Sequence, residues 1–83
     1  MDDPIGTMIR REREAAGISQ LEAGAQFGAT ALTVGKWERG QTVPELRYRG
    51  RLARWLGCSV REITDACIAG AEERRQNNTR RTT

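Results

Sequence analysis

Residues 19–40 read SQLEAGAQFGATALTVGKWERG, and this stretch constrains the fold more than any other. It holds two short helical patterns with little chain between them. The first opens on a capping box, Ser19-x-x-Glu22: the serine hydroxyl accepts from an early helical N–H and the glutamate reaches back. It stops at Gly28, a residue free to take the left-handed conformation that ends many helices. Just beyond, Thr30 can cap a second helix that stops at Gly40.

Glycine punctuates the rest of the chain in the same way. Helical periodicity breaks at Gly17, Gly28, Gly40, Gly57 and Gly70, which predicts five helices. The first covers Pro4 to Ala16, capped by Asp3, with Pro4 suited to the first turn. Ile5, Met8, Ile9, Glu12 and Ala16 share one face, and the apolar members are expected in the core. The second covers Gln20 to Phe27 and buries Ala23 and Phe27. The third covers Ala31 to Arg39, with Val34 and Trp37 inward. Ile18 and Ala29, each just before a cap, are placed to staple against Ala23 and Val34. The fourth covers Glu45 to Leu56, with Tyr48, Leu52, Trp55 and Leu56 as its apolar stripe. The fifth follows a second capping box, Ser59-x-x-Glu62, reaches about Ala69, and repeats apolar residues at Val60, Ile63 and Cys67.

Gly6, Gly24, Gly35 and Gly50 fall inside these helices, where each costs roughly 1 kcal/mol relative to alanine. A close approach of the second and third helices would explain Gly24. Residues 1–70 therefore read as one all-α, five-helix domain. Residues 71–83, AEERRQNNTRRTT, contain no large apolar side chain and read as a basic, disordered tail.

The 83 residues carry a formal charge of +3. That balance suits a polyanion without requiring one, so the position of the charge matters more than its sum. No apolar run approaches the roughly 20 residues of a membrane span, and the start MDDPIGTM lacks the basic and apolar regions of a secretory signal. A cytoplasmic protein, on the nucleoid when bound, is expected. Two cysteines and no histidine are too few for a tetrahedral zinc site. With residues 59–67 helical, Cys58 and Cys67 stand roughly 12 Å apart, too far for a disulfide, and both read as small buried hydrophobes. No cofactor, metal or enzymatic activity is expected: no acid–base pair or activated nucleophile can be assembled.

Two helices joined by a glycine-containing turn form the unit that lays its second helix in the DNA major groove. The chain resembles the Cro/repressor-type helix-turn-helix family, also called the xenobiotic-response-element family. The resemblance runs from Ile5 to Ile63. It rests on Gly17-Ile18-Ser19-Gln20, Gly28, Lys36-Trp37-Glu38-Arg39-Gly40, Pro44, Leu52-Ala53, Leu56-Gly57 and Ser59. Ala23 replaces the family's usual leucine, Gly24 its usual alanine, and Gly35 and Gly50 larger residues. The resemblance implies a five-helix bundle, lambda-repressor-like, in which the second and third helices read DNA.

It further implies base-reading by Ala31, Leu32 and Lys36, with Thr33 beside them and Gly35 outward or sideways. Lys36 can donate to guanine O6 and N7, while Ala31, Leu32 and the Thr33 methyl suit thymine methyl groups. No Asn, Gln or Arg lies between Ala31 and Lys36, so apolar contacts and DNA shape should share the reading. Gln20 and Thr30, at helix N-termini, are placed to meet phosphates. Arg39, Gln41 and Thr42 follow the reader and could hold the backbone beyond it, and Arg47 is the best such candidate on the fourth helix. Arg47, Arg51 and Arg54 otherwise read as a solvated face. A salt bridge from Arg13 to Glu38 is implied, and it suits a glutamate placed near a helix C-terminus against the dipole.

Palindromic operators go with homodimers. Ile68, off the apolar stripe of the fifth helix, is the candidate interface residue. The function expected is a homodimeric, sequence-specific transcriptional regulator like a phage Cro or repressor, acting on double-stranded DNA. An antitoxin of a toxin–antitoxin pair, which binds both operator and toxin and autoregulates its operon, with the tail folding on the protein partner, is one alternative. A protein-interaction module using the same fold is another.

Overall fold

The computed structural model describes residues 4–70, which contain five helices. They are α1 (Pro4–Ala16), α2 (Gln20–Phe27), α3 (Ala31–Glu38), α4 (Leu46–Leu56) and a fifth, α5, over residues 60–70. The Asp3 cap and the tail at 71–83 lie outside the described residues.

Local chemistry sets most boundaries. The Ser19 hydroxyl accepts from the Glu22 N–H at 3.1 Å, and the Ser19 N–H donates to Glu22 Oε1 at 2.9 Å. Ser59 and Glu62 repeat the reciprocal pair at 3.1 and 3.2 Å. Gly28, at φ +79°, ends α2, and the next N–H, that of Ala29, returns to the Gly24 carbonyl at 2.9 Å. Four glycines of the expected five, Gly17, Gly28, Gly40 and Gly57, have the positive φ of a helix stop.

Gly70 differs: it is helical and buried. Arg39 caps α3 instead of belonging to it, and Glu45 is the N-cap of α4 without a side-chain capping bond.

The core is Ile5, Ile9, Ala23, Phe27, Val34, Trp37, Leu52, Ala53, Ile63 and Cys67. Its aromatic centre is continuous. Phe27 lies 5.8 Å from Trp37 and 5.4 Å, edge-on, from Trp55, while Trp37 meets Tyr48 edge-on at 5.2 Å. Ile18 and Ala29 are half-buried against this cluster.

Two apolar residues expected inside are exposed. Val60 is 43% exposed, because it opens α5 a turn before Ile63, where the helix first meets the core. Ala16 is exposed, because the second half of α1 turns arginines, not apolar side chains, toward its neighbour. Cys67 is buried and Cys58 half-buried, both as free thiols.

Close backbone approach accounts for two interior glycines. A Cβ on Gly24 would lie 2.3 Å from the Ala29 carbonyl oxygen, so the α2–α3 turn folds back onto α2 only without a side chain there. A Cβ on Gly6 would lie 2.4 Å from the Trp37 carbonyl oxygen, where α1 crosses the end of α3. Nothing lies within 4 Å of the corresponding point on Gly50, and nothing in the structure explains that glycine.

Candidate nucleic-acid interface

The third helix divides cleanly between core and surface. Val34, Gly35, Trp37 and Glu38 are buried. Lys36 is exposed, Leu32 is 65% exposed, and Ala31 and Thr33 are half-buried. Gly35, expected outward or sideways, is buried beneath side chains and not in the core. It is covered by the Arg39 guanidinium and the Gln20 side chain, whose atoms stand 2.9 and 3.4 Å from where a Cβ would be.

Four of the expected site residues come together. Thr33 and Lys36 on α3, Thr42 in the following loop and Arg47 on α4 line one open cleft, floored by Trp37, Val43 and Tyr48. The loop is anchored beneath: Pro44 is fully buried, and its carbonyl accepts from Arg49 Nε at 3.1 Å. Arg49 also reaches Thr64 Oγ1 on α5 at 3.4 Å. Arg47 is held loosely, 3.3 Å from Glu45 and 4.8 Å over the Tyr48 ring. Arg47 and Glu45 are both largely exposed, so their ion pair is worth little and yields readily to another anion.

Thr30 caps α3 by accepting from the Thr33 N–H at 3.1 Å, and its hydroxyl donates to Thr33 Oγ1 at 3.0 Å. Gln20 has a second task that the sequence reading did not assign. Its Nε2 donates to Glu38 Oε1 at 3.3 Å, which ties α2 to the end of α3. Arg39 Nη2 reaches Gln41 Oε1 at 3.5 Å.

Beneath this surface lies a buried carboxylate. Glu38 is 3% exposed. It receives Arg13 Nε at 2.7 Å and Nη2 at 3.0 Å, with Arg10 Nε 3.6 Å away. Arg10 Nη2 also donates to the Glu38 carbonyl at 3.0 Å. Arg10 was missed in the sequence, although its place three residues before Arg13, on the same helical face, is a signal for it. Burial alone would push the Glu38 carboxyl upward. Hydrogen bonds from Arg13 and Gln20, and the charges of Arg13 and Arg10, outweigh it and hold the carboxyl below its ordinary value. Arg13 is correspondingly raised, chiefly by its hydrogen bond to Glu38. No buried side-chain polar atom among the described residues lacks a partner.

Ile68 is 53% exposed on α5. Among the described residues no helix is long and apolar enough to cross a membrane, and no group of three acidic, cysteine or histidine side chains could hold a metal ion. Burial first, and then the neighbouring Glu62, raise the Cys58 thiol.

A family model described as helix-turn-helix matches residues 9–63. No curated protein and no solved structure matches the chain.

Proposed function

Because the chain belongs to the Cro/repressor-type helix-turn-helix family of DNA-binding domains, we propose that it is a sequence-specific transcriptional regulator. It would bind a palindromic operator as a homodimer, with α3 in the major groove. The observation that carries this reading is the division of α3. One face is locked into the core by Val34, Trp37 and Glu38, and the other offers Leu32 and Lys36 to the outside.

In this reading Lys36 donates to a guanine edge, and Ala31, Leu32 and the Thr33 methyl meet thymine methyl groups. Thr42 and Arg47, on the wall of the same cleft, meet phosphates beyond the reader, together with Arg39 and Gln41. Gln20 and Thr30 meet phosphates at the helix N-termini. One strong polar base contact per subunit is little, so a second subunit is needed for operator selectivity. The exposed Ile68 supports a contact of α5 with that second copy. Such a protein stands closest in kind to a phage Cro or repressor.

Selection of bound duplexes from random DNA tests the proposal. Recovered sites should be two-fold symmetric, with half-sites about 10 base pairs apart or a multiple of that. Recovery of DNA with no common sequence would overturn it and leave only non-specific DNA binding.

A further inference from the structure

The reader helix lacks a side chain at one position where the structure places a charge. Gly35 is buried, yet what buries it is not the core. The Arg39 guanidinium lies back along α3, with Nη1 and Nη2 2.9 and 3.5 Å from the point a Cβ would occupy. Residues four apart on a helix are stacked neighbours, so the glycine leaves a slot one turn below Arg39, and the guanidinium fills it. Gln20 Oε1 borders the slot at 3.4 Å, while the Gln20 amide nitrogen is fixed on buried Glu38. Gln41 Oε1 meets Arg39 Nη2 at 3.5 Å. No carboxylate among the described residues pairs with Arg39.

We propose that Gly35 is a positioning residue for DNA binding: by leaving this slot it holds the Arg39 guanidinium against the reader helix, ready for a backbone phosphate. The inference rests on the DNA-binding reading and adds the cause of Arg39's placement. An arginine free to swing must lose rotamer freedom on binding; one already seated loses less. The slot is also sensitive to a single methyl group. An alanine side chain at 35 would collide with the far end of a flexible side chain and not with backbone, so the fold adapts while Arg39 leaves its place.

The test compares the wild-type chain with Gly35→Ala, Arg39→Ala, the double variant and Gly50→Ala. Binding to a mixed-sequence duplex of about 20 base pairs is followed by fluorescence anisotropy across about 50–200 mM salt. Gly35→Ala should weaken binding by about tenfold, the scale of one charge-assisted contact, and lower the salt slope by about one. Arg39→Ala should do the same, and the double variant should bind no more weakly than Arg39→Ala. Gly50→Ala, an open helix position, should bind as wild type. The melting temperature of Gly35→Ala should not fall, since alanine is the better helix former. Wild-type affinity and slope in Gly35→Ala, or additive losses in the double variant, would overturn the inference alone. A wild-type chain that does not bind the duplex would overturn the DNA-binding reading, and this inference with it.

Discussion

Arg13 grips Glu38 with both sides of its guanidinium, Nε on Oε2 at 2.7 Å and Nη2 on Oε1 at 3.0 Å, across a separation of 25 residues. The carboxylate is buried, so its partners matter more than those of a surface pair. Removing Arg13 takes away the two shortest contacts and leaves the charge to the longer ones from Gln20, at 3.3 Å, and Arg10, at 3.6 Å. Arg13→Ala should therefore cost about 3 kcal/mol of unfolding free energy, measured by urea denaturation. Arg47→Ala, which breaks the exposed pair with Glu45 and the contact over the Tyr48 ring, should cost less than about 1 kcal/mol. Equal losses would show that Glu38 is not held as a buried ion.

The same carboxylate predicts an acid limb. Its folded pKa lies below the unfolded one, so the folded state releases the proton more readily. The stability this contributes is complete above the ordinary glutamate value of about 4.3 and is lost as pH falls through the lower folded value. Glu22 is lowered too, chiefly by the Ser19 backbone hydrogen bond, and acts in the same direction. Comparison with Glu38→Gln isolates the buried group. The variant should be weaker at neutral pH and show a shallower loss of urea midpoint between about pH 5 and pH 3.

Two glycine-to-alanine changes should move stability in opposite directions. At Gly24 the added carbon meets backbone, the Ala29 carbonyl oxygen at 2.3 Å, so the α2–α3 turn must open. The cost should be about 2 kcal/mol, in the range of overpacked cores. At Gly50 the added carbon meets nothing within 4 Å, and the helix gains up to about 1 kcal/mol. Thermal unfolding of both variants checks the pair, and a stabilised Gly24→Ala would contradict the tight turn.

Lys36 should act on sequence preference and not on the general grip. Lys36→Ala should relax discrimination at one base pair of the half-site by roughly 1–3 kcal/mol. Competition between the selected operator and single-base variants reads this directly. A uniform loss across all variants would move Lys36 from the base edges to the phosphates.

What was legible in the sequence lies within four or five residues of chain. Ser19 with Glu22, Ser59 with Glu62 and Thr30 with Thr33 are caps formed by near neighbours, and Gly17, Gly28, Gly40 and Gly57 stop helices by their own backbone freedom. The spacing of Ile5 and Ile9, or of Val34 and Trp37, likewise marks a face before any partner is known. The base-reading roles proposed for Ala31, Leu32 and Lys36 rest on family resemblance, because an exposed side chain carries no periodic signal of what it touches; the phosphate roles proposed for Gln20 and Thr30 rest on their places at helix N-termini.

Periodicity names a face but not how far the neighbouring element extends along it, and that extent left Ala16 and Val60 in solvent and drew Gly70 into the helix. Contacts between distant segments were likewise set only in three dimensions, apart from the Arg13–Glu38 salt bridge that the family resemblance implied. Arg10, Arg13 and Gln20 converge on Glu38 from 28, 25 and 18 residues away. They do so because Gly6 lets α1 cross close over the end of α3 and Gly24 lets the turn close on α2. The sequence by itself determined the helices to within a residue or so at their ends, the caps at Ser19, Thr30 and Ser59, and most of the inward faces, since short-range hydrogen bonds and side-chain spacing suffice for these. Only the tertiary structure decided that Glu38 is a buried hub and that Gly35 is a slot for Arg39, because each depends on the distance between surfaces that the chain order does not encode.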